Sequence, residues 1–184
     1  MHAATHDLNQ VLHRVRRLAY AEDVADLEYK RFMDLGAFEA AEDRVRNHPN
    51  LWIRYSRLSS VRNQQGRLGE AIDFINRAEG EASTLYERAC HQANMAYYLT
   101  TMGDFDQSIE RGLDAVLMDP SVVMGAVNAC CAASVLRSRP KLVEIMKLLS
   151  ERVPTVLSHP LWFERWENDP QLAFGRTHLV PTHH

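Results

Sequence analysis

The sequence predicts an all-α protein built from consecutive helix pairs, and three observations carry that expectation. Apolar residues recur at helical spacing along most of the chain, as in Leu8, Val11, Leu12, Val15, Leu18 and again in Leu142, Val143, Ile145, Met146, Leu149. Alternating strand patterns are absent. Gly and Pro fall between the helical runs, at Gly36, Pro49, Gly66, Gly80, Gly103, Pro120, Pro140, Pro154 and Pro160. Each marks a helix end, because Pro cannot continue a helix and Gly accepts a left-handed C-cap. About nine or ten helices of roughly 10–18 residues follow from this punctuation.

The elements repeat. In MGDFDQSIERGLDAVLMDP (102–120), Gly103 makes a turn, Asp104 caps the next helix, and Pro120 stops it. QGRLGEAIDFINRA (65–78) overlays this stretch when Gly66 is placed on Gly103, putting Ala71 on Ser108, Ile72 on Ile109 and Ala78 on Ala115. LGAFEAAEDRV (35–45) overlays it with Gly36 in that place, Phe38 on Phe105 and Ala41 on Ser108. The Gly-to-Gly steps are 30 and 37 residues, and Pro120 to Pro154 is 34. Before Gly103, Thr84 and Glu87 form a T-x-x-E capping box that starts an extended helix. Small residues at Ala71, Ala78, Ser108 and Ala115 let the second helix of a pair approach the first. One pair cannot bury its apolar face alone, so stacking is required.

Residues 89–122 resemble one unit of the tetratricopeptide repeat family through Ala96, Gly103, Asp104, Phe105, Ser108, Ala115 and Pro120. Residues 52–79 share the pattern through Trp52, Tyr55, Leu58, Ser59, Gly66, Ala71 and Ala78. Residues 123–156 follow it more loosely through Cys130, Leu142, Leu149 and Pro154, and residues 22–49 form the shortest copy. Gly112 departs from the family, standing where a large aromatic is usual. HPNLWIRYSRL also has the Trp/Tyr flavour of half-a-tetratricopeptide repeats in RNA-processing factors.

The resemblance implies a right-handed solenoid of antiparallel helix pairs, about four pairs with N- and C-terminal helices. It forms one domain over residues 1–177, with a flexible tail at 178–184. SHPLWFERWENDPQLAFGR (158–176) lies beyond the repeats. It is expected to cap the open end as a helix starting at Pro160, with Leu161, Trp162, Trp166 and Phe163 packed on Leu142, Met146 and Leu149. The alternative is a docking patch for a partner or a second copy.

Composition narrows the function. With 21 Lys+Arg and 24 Asp+Glu the net charge is −3, and the basic group Arg14, Arg16, Arg17 is short, so nucleic acid is not the expected partner. No apolar run approaches the length of a membrane span, and the N-terminus lacks the apolar core of a signal peptide. Cys90, Cys130 and Cys131 give no even disulfide framework, which suits reduced thiols and a cytoplasmic location.

No catalytic constellation emerges. Adjacent Cys130 and Cys131 point about 100° apart on a helix. His13, His48 and His91 are scattered, and GRLGE lacks the strand and Lys-Ser/Thr of a phosphate loop. His178, His183 and His184 read as a tail before they read as a zinc site. The expectation is therefore a non-enzymatic scaffold or adaptor, without a cofactor, that binds a peptide or helix of a partner protein. By the family's geometry the first helix of each pair lines the concave face. That places Arg57, Ser60, Asn63 and Gln64 in one unit, Asn94, Tyr97 and Thr101 in the next, and Asn128 and Cys131 in the last. Lysines needed for an acidic-peptide clamp are missing. The alternatives are a sensor domain for a small ligand or RNA, and self-association as a homodimer.

Overall fold

The computed structural model describes residues 24–179. The N-terminal stripe Leu8–Leu18 and residues 180–184 of the expected tail lie outside the described residues. No strand occurs among the described residues. Residues 24–34 are helical (α1), followed by α2 (Phe38–Val45), α3 (Leu51–Gln64), α4 (Leu68–Glu81), α5 (Leu85–Met102), α6 (Phe105–Met118), α7 (Met124–Val135) and α8 (Arg139–Arg152). The described residues close with α9 (Pro154–Leu157), α10 (Pro160–Asn168), a 3₁₀ turn (Pro170–Leu172) and α11 (Ala173–His178). The residues divide into two compact units, one through Ala71 and one from Ile72 onward.

The same turn closes the first helix of each pair. Gly36, Gly66 and Gly103 all have left-handed backbones, with φ of 68°, 74° and 85°. The residue after each reaches back across the turn. Ala37 N–H donates to the Phe32 carbonyl, Arg67 to Arg62 and Asp104 to Leu99, at 2.8–2.9 Å. This is the Schellman closure, which satisfies the last carbonyls of a helix. A fourth copy ends α7. Ser138 N–H donates to the Ala133 carbonyl at 3.0 Å, and Arg137 takes the left-handed place at φ 53°.

Counted from these turns, the crossing points coincide. Ser59 and Ala96 lie seven residues before their glycines, Ala71 and Ser108 five after, and all four are fully buried. In the first unit Ser59 Oγ donates across to the Ala71 carbonyl at 2.7 Å. In the second, Ser108 Oγ donates the opposite way to the Ala96 carbonyl, also at 2.7 Å. The helices of each pair approach until side-chain hydroxyls bridge them directly, and in the second Thr100 Oγ1 also lies 2.7 Å from Ser108 Oγ.

Within the second unit, α5 packs on α6, α6 on α7, and α7 on both α5 and α8. The α6–α7 crossing is closer still. A Cβ on Gly112 would lie 2.5 Å from the Gly125 carbonyl oxygen, and one on Gly125 would lie 2.6 Å from the Gly112 carbonyl. The departure at Gly112 thus has a reason, since backbone meets backbone there. Every residue of α7 from Gly125 to Ser134 is buried. An all-round apolar helix belongs in a core, and this one explains why both Cys130 and Cys131 are buried despite pointing to different sides.

The C-terminal segment differs from the single capping helix expected. Asp169 is forced toward an extended backbone by Pro170 (φ −74°, ψ 119°), so the segment breaks into α10, the 3₁₀ turn and α11. All three pack on α7, and α11 also on α8. Trp162 and Trp166 stack with centroids 5.4 Å apart and are buried in one cluster with Leu142, Ile145, Leu149 and Cys131. Met146 packs against that cluster, whereas Phe163 points to solvent.

Gly112→Ala should destabilise by about 2–3 kcal/mol or more through overpacking at the crossing. Gly80→Ala, in α4 with open space around the added methyl, should stabilise by about 0.5–1 kcal/mol. Denaturant midpoints of the two variants separate a crossing glycine from an ordinary one. A chain ending at Val156 should unfold at lower denaturant and aggregate, and the emission of the intact chain should be blue-shifted by its two buried Trp side chains.

Candidate functional site

The residues expected to line a partner groove divide sharply by environment. On α3, Arg57 is committed within its own unit. Its guanidinium pairs with Asp26 and lies 5.1 Å from the centre of the Tyr29 ring, whose hydroxyl donates to the Arg57 carbonyl. Ser60 donates to the Ser56 carbonyl at 3.2 Å. Asn63 is half-buried and Gln64 exposed. A further cation of this helix, Arg62, is buried and forms a two-pronged pair with Glu42 at 2.6 and 2.7 Å, with Gln65 and Glu70 also in reach. It stands four residues before Gly66, where the next repeat has Leu99, so an ion pair replaces an apolar contact.

On α5, Asn94, Tyr97 and Thr101 share one face at helical spacing. Tyr97 is 41% exposed, with its ring edge-on to Tyr98 at 5.8 Å. Asn94 is half-buried, and Thr101 is exposed and donates to the Tyr97 carbonyl. Cys90, expected from the repeat alignment to line the same face, belongs to it, and the structure extends the face to Tyr86, which was not named from sequence. The signal was present, since Tyr86 lies four residues before Cys90 in the helix that the Thr84–Glu87 capping box starts, but the repeat unit drawn from residue 89 left it out. Tyr86, Cys90, Asn94, Tyr97 and Thr101 form an uncharged stripe of about 22 Å along the helix.

On α7 the corresponding residues are enclosed. Asn128 is buried and donates Nδ2 to the Ala93 carbonyl at 2.8 Å, tying α7 to α5. Cys131 is buried in the cluster that includes Trp166 and Leu172. Ser134, one turn on, accepts from Gly175 N–H at 3.1 Å, and a Cβ on Gly175 would lie 3.2 Å from the Trp166 ring, a tight approach. Both Asn128 and Cys131 are thus used in packing.

The thiols are poorly placed for nucleophilic work. Burial raises all three, with Cys131 pushed up to about 12 and Cys130 higher still. A reactive cysteine needs the opposite shift. The Cys90 sulfur, through its charge and a shared hydrogen bond, in turn raises the Tyr86 phenol. Among the described residues no three His, Cys, Asp or Glu side chains gather as a metal site, and no helix is long and apolar enough to cross a membrane. No family model matches the chain, and neither does any curated protein.

The Arg62–Glu42 pair sets an acid limit. Arg62, as hydrogen-bond partner, is the main reason that Glu42 sits below its ordinary value of 4.5. The folded carboxylate therefore takes up its proton later than the unfolded one. Its contribution is complete above 4.5 and is lost as pH falls through the lowered value. Glu42→Gln should cost about 2–3 kcal/mol at pH 7, because it leaves a buried guanidinium under-paired. It should also flatten the loss of stability below pH 4.5, as urea midpoints measured against pH will show.

Proposed function

We propose that the chain is a non-catalytic protein-interaction module of the tetratricopeptide-like kind, a right-handed solenoid of helix pairs that holds a peptide or helix of a partner protein on its inner face. The uncharged stripe on α5 carries the reading. Five side chains, two of them tyrosines, offer amide, hydroxyl and aromatic contacts at intervals of about one turn, in a helix otherwise anchored by buried alanines. Tyrosines of this kind contribute strongly at protein interfaces because they bury large area at small entropic cost. Acidic segments and nucleic acid fit less well, because Arg57 and Arg62 are already paired with carboxylates. A cytoplasmic setting accords with three reduced thiols.

The test is a partner found by affinity capture from the native host and then measured by titration. Tyr97→Ala should weaken its binding about tenfold or more, and Asn94→Ala by a smaller factor. The Tyr97 variant should lose less than about 1 kcal/mol of stability, since only an exposed edge-on contact is removed. Unchanged affinity in both variants would move the interaction off α5.

A further inference from the structure

His91 is 4% exposed in the middle of α5, and neither ring nitrogen has a hydrogen-bond partner. A buried polar group left unpaired is costly, so shape alone is a poor reason for histidine here. The charged groups around it come from three helices. Glu79 on α4 places Oε1 3.5 Å from Nδ1, and its side chain is half exposed. Arg111 on α6 is held beside α5 by a 2.9 Å hydrogen bond to Gln92 Oε1. On α5 itself, Glu87 is used in the capping box with Thr84, and Arg88 is exposed.

We propose that His91 is an acid-operated release point for α5: neutral, it is enclosed between α5 and its neighbours, and on protonation it loosens their contact. The imidazolium has two N–H groups to satisfy. Only Nδ1 has an acceptor nearby, Nε2 has none, and Arg111 adds repulsion. Burial is the largest influence and holds the imidazole below its ordinary value of 6.5, against the pull of Glu79. The opened helix therefore binds the proton more readily than the closed one. As pH falls through 6.5 the closed state loses ground, until the lowered value is passed. Asn94 and Tyr97 lie three and six residues further along, so the order of the stripe depends on the same contact.

Nuclear magnetic resonance on the full chain tests this. The His91 ring should titrate below 6.5. Amide exchange across residues 85–95, corrected for the intrinsic rate, should be about five- to tenfold faster at pH 5.5 than at pH 7.5, the factor for a site that opens to an ordinary histidine. His91→Phe should abolish that pH response. A ring that titrates at or above 6.5 would overturn the proposal, and so would an equal response in the variant. If His91→Phe does not fold, the wild-type ring titration decides.

Discussion

The structure depends on how closely its helices cross. Hydrogen-bonded turns and capped ends define each helix, but they do not hold one against the next. That is done where side chains shrink to hydrogen, methyl or hydroxymethyl. Ser59 meets Ala71, Ala96 meets Ser108, and Gly112 meets Gly125. At such distances the dispersion contacts of two backbones add up over several turns. Any larger group displaces the whole pair rather than a single rotamer. The serine hydroxyls satisfy themselves by bridging to the opposite carbonyl, so no polar atom is stranded at these two crossings.

Much of this was legible in the sequence because the constraint acts on few positions. Glycine at 36, 66 and 103 is required by a left-handed turn, and the small residue five positions later by the crossing. These fix the phase of the pairs even when the step drifts between 30 and 37 residues. The fourth turn was harder to read, since Arg137 takes the left-handed conformation that glycine takes in the others. Gly112 was legible only as a departure. Its partner Gly125 lies on another helix, and a sequence pattern within one repeat carries no information about a contact between repeats. The break at Asp169–Pro170 was visible as a dipeptide, but the aromatic run around it suggested one continuous helix.

The candidate site was less legible, because equivalent positions have unlike surroundings. Asn94 and Asn128 occupy the same place in successive repeats, as do Tyr97 and Cys131, 34 residues apart. The α5 members remain partly open. The α7 members lie in a helix covered by the C-terminal segment, where Trp166, Leu172 and Gly175 pack closely. Small residues on α7 admit that cover, and a tyrosine in place of Cys131 would not fit beneath it. Arg57 and Arg62 show the same effect in the first unit, since their partners Asp26 and Glu42 come from earlier helices. Repeat alignment assigns a residue to a face, and the rest of the chain decides whether that face stays available.

If the crossings are interchangeable units, the second should accept the arrangement of the first. The direct measurement is the urea midpoint of the double variant Ala96→Ser with Ser108→Ala. The hydroxyl would then donate from α5 to the carbonyl of residue 108, as Ser59 donates to Ala71, and Thr100 would keep its bond to the Ala96 carbonyl. Stability within about 1 kcal/mol of the wild type is predicted, since the bond to the opposite carbonyl is exchanged for another of about 1 kcal/mol and only the Thr100–Ser108 hydroxyl contact at 2.7 Å goes unreplaced. A loss of about 2 kcal/mol or more would show that the two crossings differ in geometry and would contradict the account.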